Sequence, residues 1–171
     1  MRRAACAVAV IVLAGDQVSK SLVLASHPGP SGGLVSVRLV RNTGASFGLG
    51  SGHPILVVLS ATVVIAIVAA LLARTRSRAA ALCLAAVLGG ALGNLADRIF
   101  RSPGLGRGAV VDWIHVSFYP ATFNLADLAI RVGVVGAVVA LLGIRVRGAS
   151  WRARRSPGLD SLAQHDQQAD A

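Results

Sequence analysis

The chain contains no glutamate. Its acids are seven aspartates, set against 17 lysine and arginine residues, which gives a formal net charge of +10 over 171 residues. Charged residues make up only 14% of the sequence, whereas ordinary soluble domains carry about 25%. Cysteine is equally scarce. Cys6 and Cys83 both lie in apolar segments and share no CxxC spacing, so they are expected to be small buried side chains, in neither a disulfide nor a metal site. The four histidines, His27, His53, His115 and His165, are scattered and form no HExxH pattern, and no zinc, other metal or cofactor is expected.

What is abundant is apolar. Hydrophobic residues reach 54% and mean hydropathy is +0.68. The positive charge alone would admit a nucleic-acid partner, but the basic residues cluster at the ends of apolar runs. That distribution belongs to membrane topology rather than to a DNA-binding face, and no nucleic-acid partner is expected.

Four segments are long enough to span a bilayer. The first, residues 1–24, opens with Arg2 and Arg3 like a signal peptide, but Asp16, Gln17 and Lys20 follow and the apolar run then resumes. A retained transmembrane helix fits better. Asp16 and Lys20 stand four apart and can pair along one helix face, either as a neutralised surface pair or as a polar strut. Residues 27–53 form a Gly-, Pro- and Ser-rich loop in which 34–40 alternate in polarity, predicting a short strand. Asn42 and Gly44 follow, where a solvated turn competes with a functional loop. Residues 54–73 predict a second helix opened by Pro54, and 79–100 a third that ends on Asn94, Asp97 and Arg98. Asp97, at a helix C-terminus, is opposed by the macrodipole and needs a cationic partner, for which Arg98 or an incoming loop is available.

Residues 101–122 read as a second loop that carries Asp112. Trp113 and Tyr119 suit a membrane interface, as does His115. A Ser117/His115/Asp112 triad can be drawn, but it lacks nucleophile-elbow context. The fourth helix is expected over 124–144, with Asn124 as its N-cap and Asp127 in its first turn. Residues 1–150 thus form one membrane-embedded domain, and 151–171 a polar tail expected to be disordered.

Arg2 and Arg3, then Arg74, Arg76 and Arg78, then five arginines beyond residue 144 mark one side of the membrane. The positive-inside rule places both termini in the cytoplasm. Lys20, Asn94, Asp97, Asp112 and Asp127 then gather at the extracytoplasmic surface. Carboxylates at membrane depth are costly and mark function by default. Two that converge can share one proton and activate a water.

Asp16-Gln17-Val18-Ser19-Lys20, Asn42-Thr43-Gly44-Ala45-Ser46-Phe47, Gly93-Asn94-Leu95-Ala96-Asp97-Arg98, Val110-Val111-Asp112-Trp113 and Phe123-Asn124-Leu125-Ala126-Asp127 follow one another in that order. Together they resemble the signature motifs of the signal peptidase II family, the lipoprotein signal peptidases, over residues 16–130. The resemblance implies a mainly α, four-helix intramembrane aspartic peptidase of the bacterial cytoplasmic membrane with a small β-rich extracytoplasmic cradle near residues 34–50. It implies removal of signal peptides from prolipoproteins immediately before a diacylglyceryl-cysteine, with Asp112 and Asp127 as the catalytic dyad. Asp16, Asn42, Asn94, Asp97, Arg98 and Asn124 would support the site or contact substrate, with Lys20 and Gly44 beside them. Prolipoproteins and membrane lipids are the implied partners, and a monomer is expected. A small transporter using the aspartates as a proton or ion relay is the alternative, but it predicts charges spread through the bilayer depth. A non-catalytic assembly protein gives no reason for paired Asp motifs. Arg131, four residues after Asp127, fits the pattern least. Turned toward the dyad it would favour ionised Asp127 and hinder proton sharing, so it is expected to snorkel away from the acids or to pair with another polar group.

Overall fold

The structure is a computed structural model that describes residues 1–26, 29, 32–44, 50 and 52–143. The expected tail, the end of the fourth helix at residue 144, His27, His165 and residues 45–47 of the second motif lie outside the described residues. The elements run α1 (Arg2–Ser26), β1 (Val35–Asn42), α2 (Pro54–Arg74), α3 (Arg78–Phe100), β2 (Val110–Val116), β3 (Thr122–Phe123) and α4 (Leu125–Leu141). Helices α1, α2 and α3 are each long and apolar enough to cross a membrane. The 17 residues of α4 rise roughly 25 Å at 1.5 Å per residue.

The bundle is arranged for a lipid solvent, with its bulk outside and its small residues inside. Ile11 on α1, Leu59 on α2 and Val132 on α4 are 56–69% exposed, whereas Ala80, Ala81, Ala85, Gly89, Gly90 and Gly93 of α3 are buried. Hydrophobicity does not drive helices together in lipid, so close backbone approach and van der Waals packing must. Helix α3 is the hub and packs most extensively on α4 and α1. Gly89 and Gly93 form a small-xxx-small face toward α1. A Cβ on Gly93 would come within 2.6 Å of the Asp16 carboxylate. Gly90 faces α4, where a Cβ would meet the Ala126 carbonyl oxygen at 2.6 Å. Val68, Leu84, Val87 and Ala137 fill the remaining core, with Cys83 packed against them. Cys6, expected to be buried, is instead exposed on the outer face of α1, where the solvent that suits a thiol is lipid.

The sheet caps the end of the bundle where α1 and α3 finish and α4 begins. Its order is β1-β2-β3, all antiparallel. The expected strand at 34–40 is present but continues through Arg41 and Asn42. The expected second loop contains β2, a seven-residue strand that sequence periodicity did not separate from the loop. Its Val110 and Val111 are both buried, so the apolar-polar alternation that marks a half-exposed strand is missing.

Replacing Gly90 by valine is expected to force α4 off α3 at the turn that carries Asp127. Overpacking of this kind costs typically 1–3 kcal/mol. The expected result is a lower Tm in detergent together with weakened activity, and an unchanged Tm would show that the crossing is looser than described.

Candidate active site

Asp112 lies at the third position of β2 and is 2% exposed. Val40 is its partner across the ladder, and Asn42 pairs with Val110, so Asn42 and Asp112 are diagonal neighbours on one face. Asn42 Nδ2 donates to Asp112 Oδ2 at 3.1 Å, and Asn124 Nδ2 donates to Asp112 Oδ1 at 2.7 Å. Asp127, in the first turn of α4, accepts from Asn94 Nδ2 at 2.9 Å on Oδ1. Both carboxyls line one cavity of about 290 Å³, walled on the apolar side by Val57, Ala61 and Val64 of α2, Ala91 of α3 and Ile130 of α4. A second, polar depression along β1 shares Asn42, Asp112, Ala121 and Thr122 with it.

An asparagine amide can face either way, so what holds each one matters. In all three cases the side-chain oxygen is claimed by a group that can only donate. The Gly44 amide N–H donates to Asn42 Oδ1 at 3.0 Å, and the Asp127 amide N–H to Asn124 Oδ1 at 2.9 Å. The Lys20 ammonium donates to Asn94 Oδ1 at 2.9 Å. Each NH₂ is thereby turned toward a carboxyl. The second of these contacts is also the helix N-cap, so the local geometry that starts α4 aims Asn124 at Asp112.

Behind the amides is a fully buried ion cluster. Lys20 Nζ lies 2.7 Å from Asp16 Oδ2 and 2.8 Å from Asp97 Oδ2. With Asn94 its three donors are all used. Asp97 also accepts from Arg101 Nε at 2.6 Å and from the Val111 amide at 3.2 Å, which ties the end of α3 to β2. Asp16 Oδ1 accepts from the Ala126 amide at 3.0 Å, so a carboxylate from α1 caps the N-terminus of α4, where the macrodipole favours it. Asp16 and Lys20 thus pair as their spacing predicts, and the pair is fully buried rather than at the surface.

Of the two partners expected for Asp97, Arg98 does not pair with it, whereas the incoming segment does, through the Val111 amide. Consecutive helix residues point roughly 100° apart, and Asp97 finds its partners at Lys20, Gln17 and Arg101. Arg98 turns the other way into the cavity and donates to the Gly44 carbonyl at 2.7 Å and the Asn94 carbonyl at 3.0 Å. Asn42 is not in a solvated turn but at the end of β1, half-buried against Asp112. The Ser117/His115/Asp112 triad is not assembled, because Asp112 and His115, three apart on β2, face opposite sides. Two residues escaped the sequence reading. Gln17 Nε2 lies 3.1 Å from Asp97 Oδ1 and 3.0 Å from the Gly93 carbonyl, and Arg101 closes the cluster. The i, i+4 spacing of Asp97 and Arg101 was the available signal.

Burial pushes the Asp112 carboxyl up to about 6, and the negative charge of Asp127 pushes in the same direction. The amide donors of Asn42 and Asn124 oppose both. An isolated aspartate titrates near 3.9, so this one takes up a proton much closer to neutrality.

A membrane-embedded helical bundle with two amide-braced aspartates in one cavity defines the class. The sequence profile described as Signal peptidase (SPase) II matches residues 8–143. The chain is 44% identical over 147 residues to the lipoprotein signal peptidase of Rhodococcus jostii, covering 82% of this chain and 74% of that one. It is 37% identical over 156 residues to that of Leifsonia xyli, covering 88% and 71%. A solved bacterial membrane enzyme, determined by the in meso method at 2.3 Å resolution, superposes with a TM-score of 0.72 at 23% identity over 85% of this chain and 92% of that one. That likeness shows the fold. The chain belongs to the signal peptidase II family.

Lys20→Met is expected to strand Asp16 and Asp97 without their shared cation. Breaking a buried pair in this way costs about 3–5 kcal/mol, and folded yield in detergent should collapse. Asp97→Asn removes one charge but leaves acceptors in place. It should lower activity while keeping measurable turnover, and complete inactivity in a well-folded Asp97→Asn protein would make Asp97 a direct participant.

Proposed function

We propose that this protein is an aspartic endopeptidase that removes the signal peptide of bacterial prolipoproteins, cleaving before a cysteine that carries diacylglycerol. Family membership supports the reaction. The observation that carries the residue assignment is the shared cavity of Asp112 and Asp127 with its three aimed amides. The direct test is incubation of the purified protein with a diacylglyceryl-modified prolipoprotein, scored by release of the signal peptide, and no release would sink the assignment.

Two adjacent carboxyls cannot both ionise cheaply, so the pair holds one proton. The ionised member accepts a proton from a water, whose oxygen attacks the scissile carbonyl. The protonated member donates to that carbonyl oxygen, giving a tetrahedral diol. Collapse breaks the C–N bond as the newly protonated carboxyl gives its proton to the departing amine and a diol hydroxyl returns its proton to the other carboxylate, so the pair regains its starting state. The raised Asp112 value serves this chemistry by keeping a proton available near neutral pH, and substrate that displaces water deepens the burial further. The apolar cavity and the polar depression meet at Asp112, which suits a substrate with a lipid-borne, apolar part and an extended polar part. Arg98 holds Gly44, just beyond β1, through its carbonyl.

The arginine distribution supports cytoplasmic termini and an active site near the extracytoplasmic surface, reached laterally by a lipid-modified substrate. We take residues 1–150 as the peptidase unit, acting as a monomer among membrane lipids, with 151–171 as an appended tail. The family match ending at residue 143 supports that division.

Asp112→Asn and Asp127→Asn should each nearly abolish cleavage while the protein still inserts. General acid–base assistance is worth about 10²–10⁴-fold, and groups acting as a unit are not additive. The double variant should therefore be hardly worse than either single one, and multiplying losses would contradict a shared proton. In an infrared titration the Asp112 carboxyl band should have a midpoint near 6. In Asp127→Asn the neighbouring negative charge is gone, so the midpoint should move down, and an upward move would refute the coupling.

For topology, Thr75→Cys in a background with Cys6 and Cys83 replaced should react with an impermeant maleimide only after the membrane is opened. Labelling in intact cells would invert the orientation.

A further inference from the structure

Arg131 and Asp127 are the only charged residues on α4. Leu128, Val132 and Val135, its neighbours on the outer surface of that helix, are 47–65% exposed, so the guanidinium emerges among side chains that face lipid. It is held in a corner of two rings. Its Cζ lies 5.7 Å from the Tyr119 centroid and 5.4 Å from that of Phe123, and the rings meet edge to face at 83°. These contacts fix its position without neutralising it. Among the described residues Arg131 makes no hydrogen bond and no ion pair. Asp127, one turn earlier, is engaged with Asn94 instead. Arg131, itself exposed, is also one of the residues lining the cavity that holds both aspartates, as are Val64 and Ile130.

A cation fixed at a lipid-facing rim, with five donors and no acceptor, calls for an anion that arrives with apolar chains. We propose that Arg131, seated between Tyr119 and Phe123, binds the phosphate of a membrane glycerophospholipid at the mouth of this cavity. The planar fork of the guanidinium matches two phosphate oxygens, and the apolar outer surface of α4 takes an acyl chain. The phosphate ester is the chemistry recognised, and the membrane is its source. The proposal rests on the membrane embedding rather than on the peptidase reading, so binding is measured without cleavage.

The full chain, purified in a neutral maltoside detergent, is titrated with dioleoyl phosphatidylglycerol and bound lipid is counted by native mass spectrometry. A saturable lipid adduct is expected. Arg131→Gln should bind about tenfold or more weakly, the loss of a charge-assisted contact. Arg131→Lys should fall between, because the charge remains but the fork is lost. Phe123→Leu, which opens the corner and leaves the charge, should also weaken binding, and it serves if Arg131→Gln does not fold. Dioleoylglycerol, with the same chains and no phosphate, should bind no better than phosphatidylglycerol binds Arg131→Gln. Glycerol 3-phosphate, with the phosphate and no chains, should not displace the lipid. Equal binding by folded Arg131→Gln, or equal binding of dioleoylglycerol, would overturn the site. Displacement by glycerol 3-phosphate at matching concentration would overturn the membrane source. Signal-peptide release by Arg131→Gln, assayed separately, keeps failure of this proposal apart from failure of the enzymatic one.

Discussion

The arrangement depends on one ammonium group. Lys20 is the only lysine in the chain, and its three donors are divided among Asp16, Asp97 and Asn94. Through Asp16 it reaches the first amides of α4, through Asp97 the entry to β2, and through Asn94 the Asp127 carboxyl. Lysine suits this role because its charge is compact and its donors fan out in three directions, whereas an arginine fork serves coplanar acceptors. Burying the cluster is costly in isolation, and such clusters are weak evidence for stability. What this one supplies is direction, because Asp16 on α1 and Asp97 and Asn94 on α3 are in turn bound to α4 and β2, and the relative placement of α1, α3 and α4 must satisfy all of these contacts together.

The separation between charges and amides has a chemical logic. If cations contacted Asp112 and Asp127 directly, both would be driven toward the ionised state, and the proton sharing proposed for them would be lost. Asparagine supplies N–H donors without net charge, and the charged groups stand one layer back, where they orient amides. Arg98 is the nearest exception, and its hydrogen bonds go to backbone carbonyls rather than to a carboxylate. The result is an Asp112 environment in which burial dominates and the amides moderate it.

Much of this was legible in the sequence because its physics is local. The i, i+4 spacing of Asp16 and Lys20 and the cap-to-first-turn spacing of Asn124 and Asp127 fix side-chain directions without knowledge of the fold. The four helices followed from the length of the apolar runs. What failed was non-local. Asn42 read as a turn because the strand that pairs with it is far away in sequence, and β2 read as a loop because both of its faces are covered near its start. Arg98 was one of two partners considered for Asp97, on adjacency alone, although helix geometry sends neighbours apart and selects Arg101. Cys6 was placed inside because it lies in an apolar run, but in lipid an apolar run also supplies the outer face of a helix, and Cys6 is exposed on α1.

The glycines of α3 connect these levels. In water, apolar side chains of almost any shape would draw the helices together. In lipid that force is absent, and the backbones must come close enough for polar groups on different helices to meet. Gly93 leaves the space that the Asp16 carboxylate occupies, and Gly90 leaves the space in which the first turn of α4 rests on α3. Without those two gaps Lys20 could not reach Asn94 while Asp16 caps α4, and Asn94 would not be turned toward Asp127. The small residues that hold the bundle together in the membrane are therefore the same ones that bring the proposed catalytic carboxyls into a single cavity.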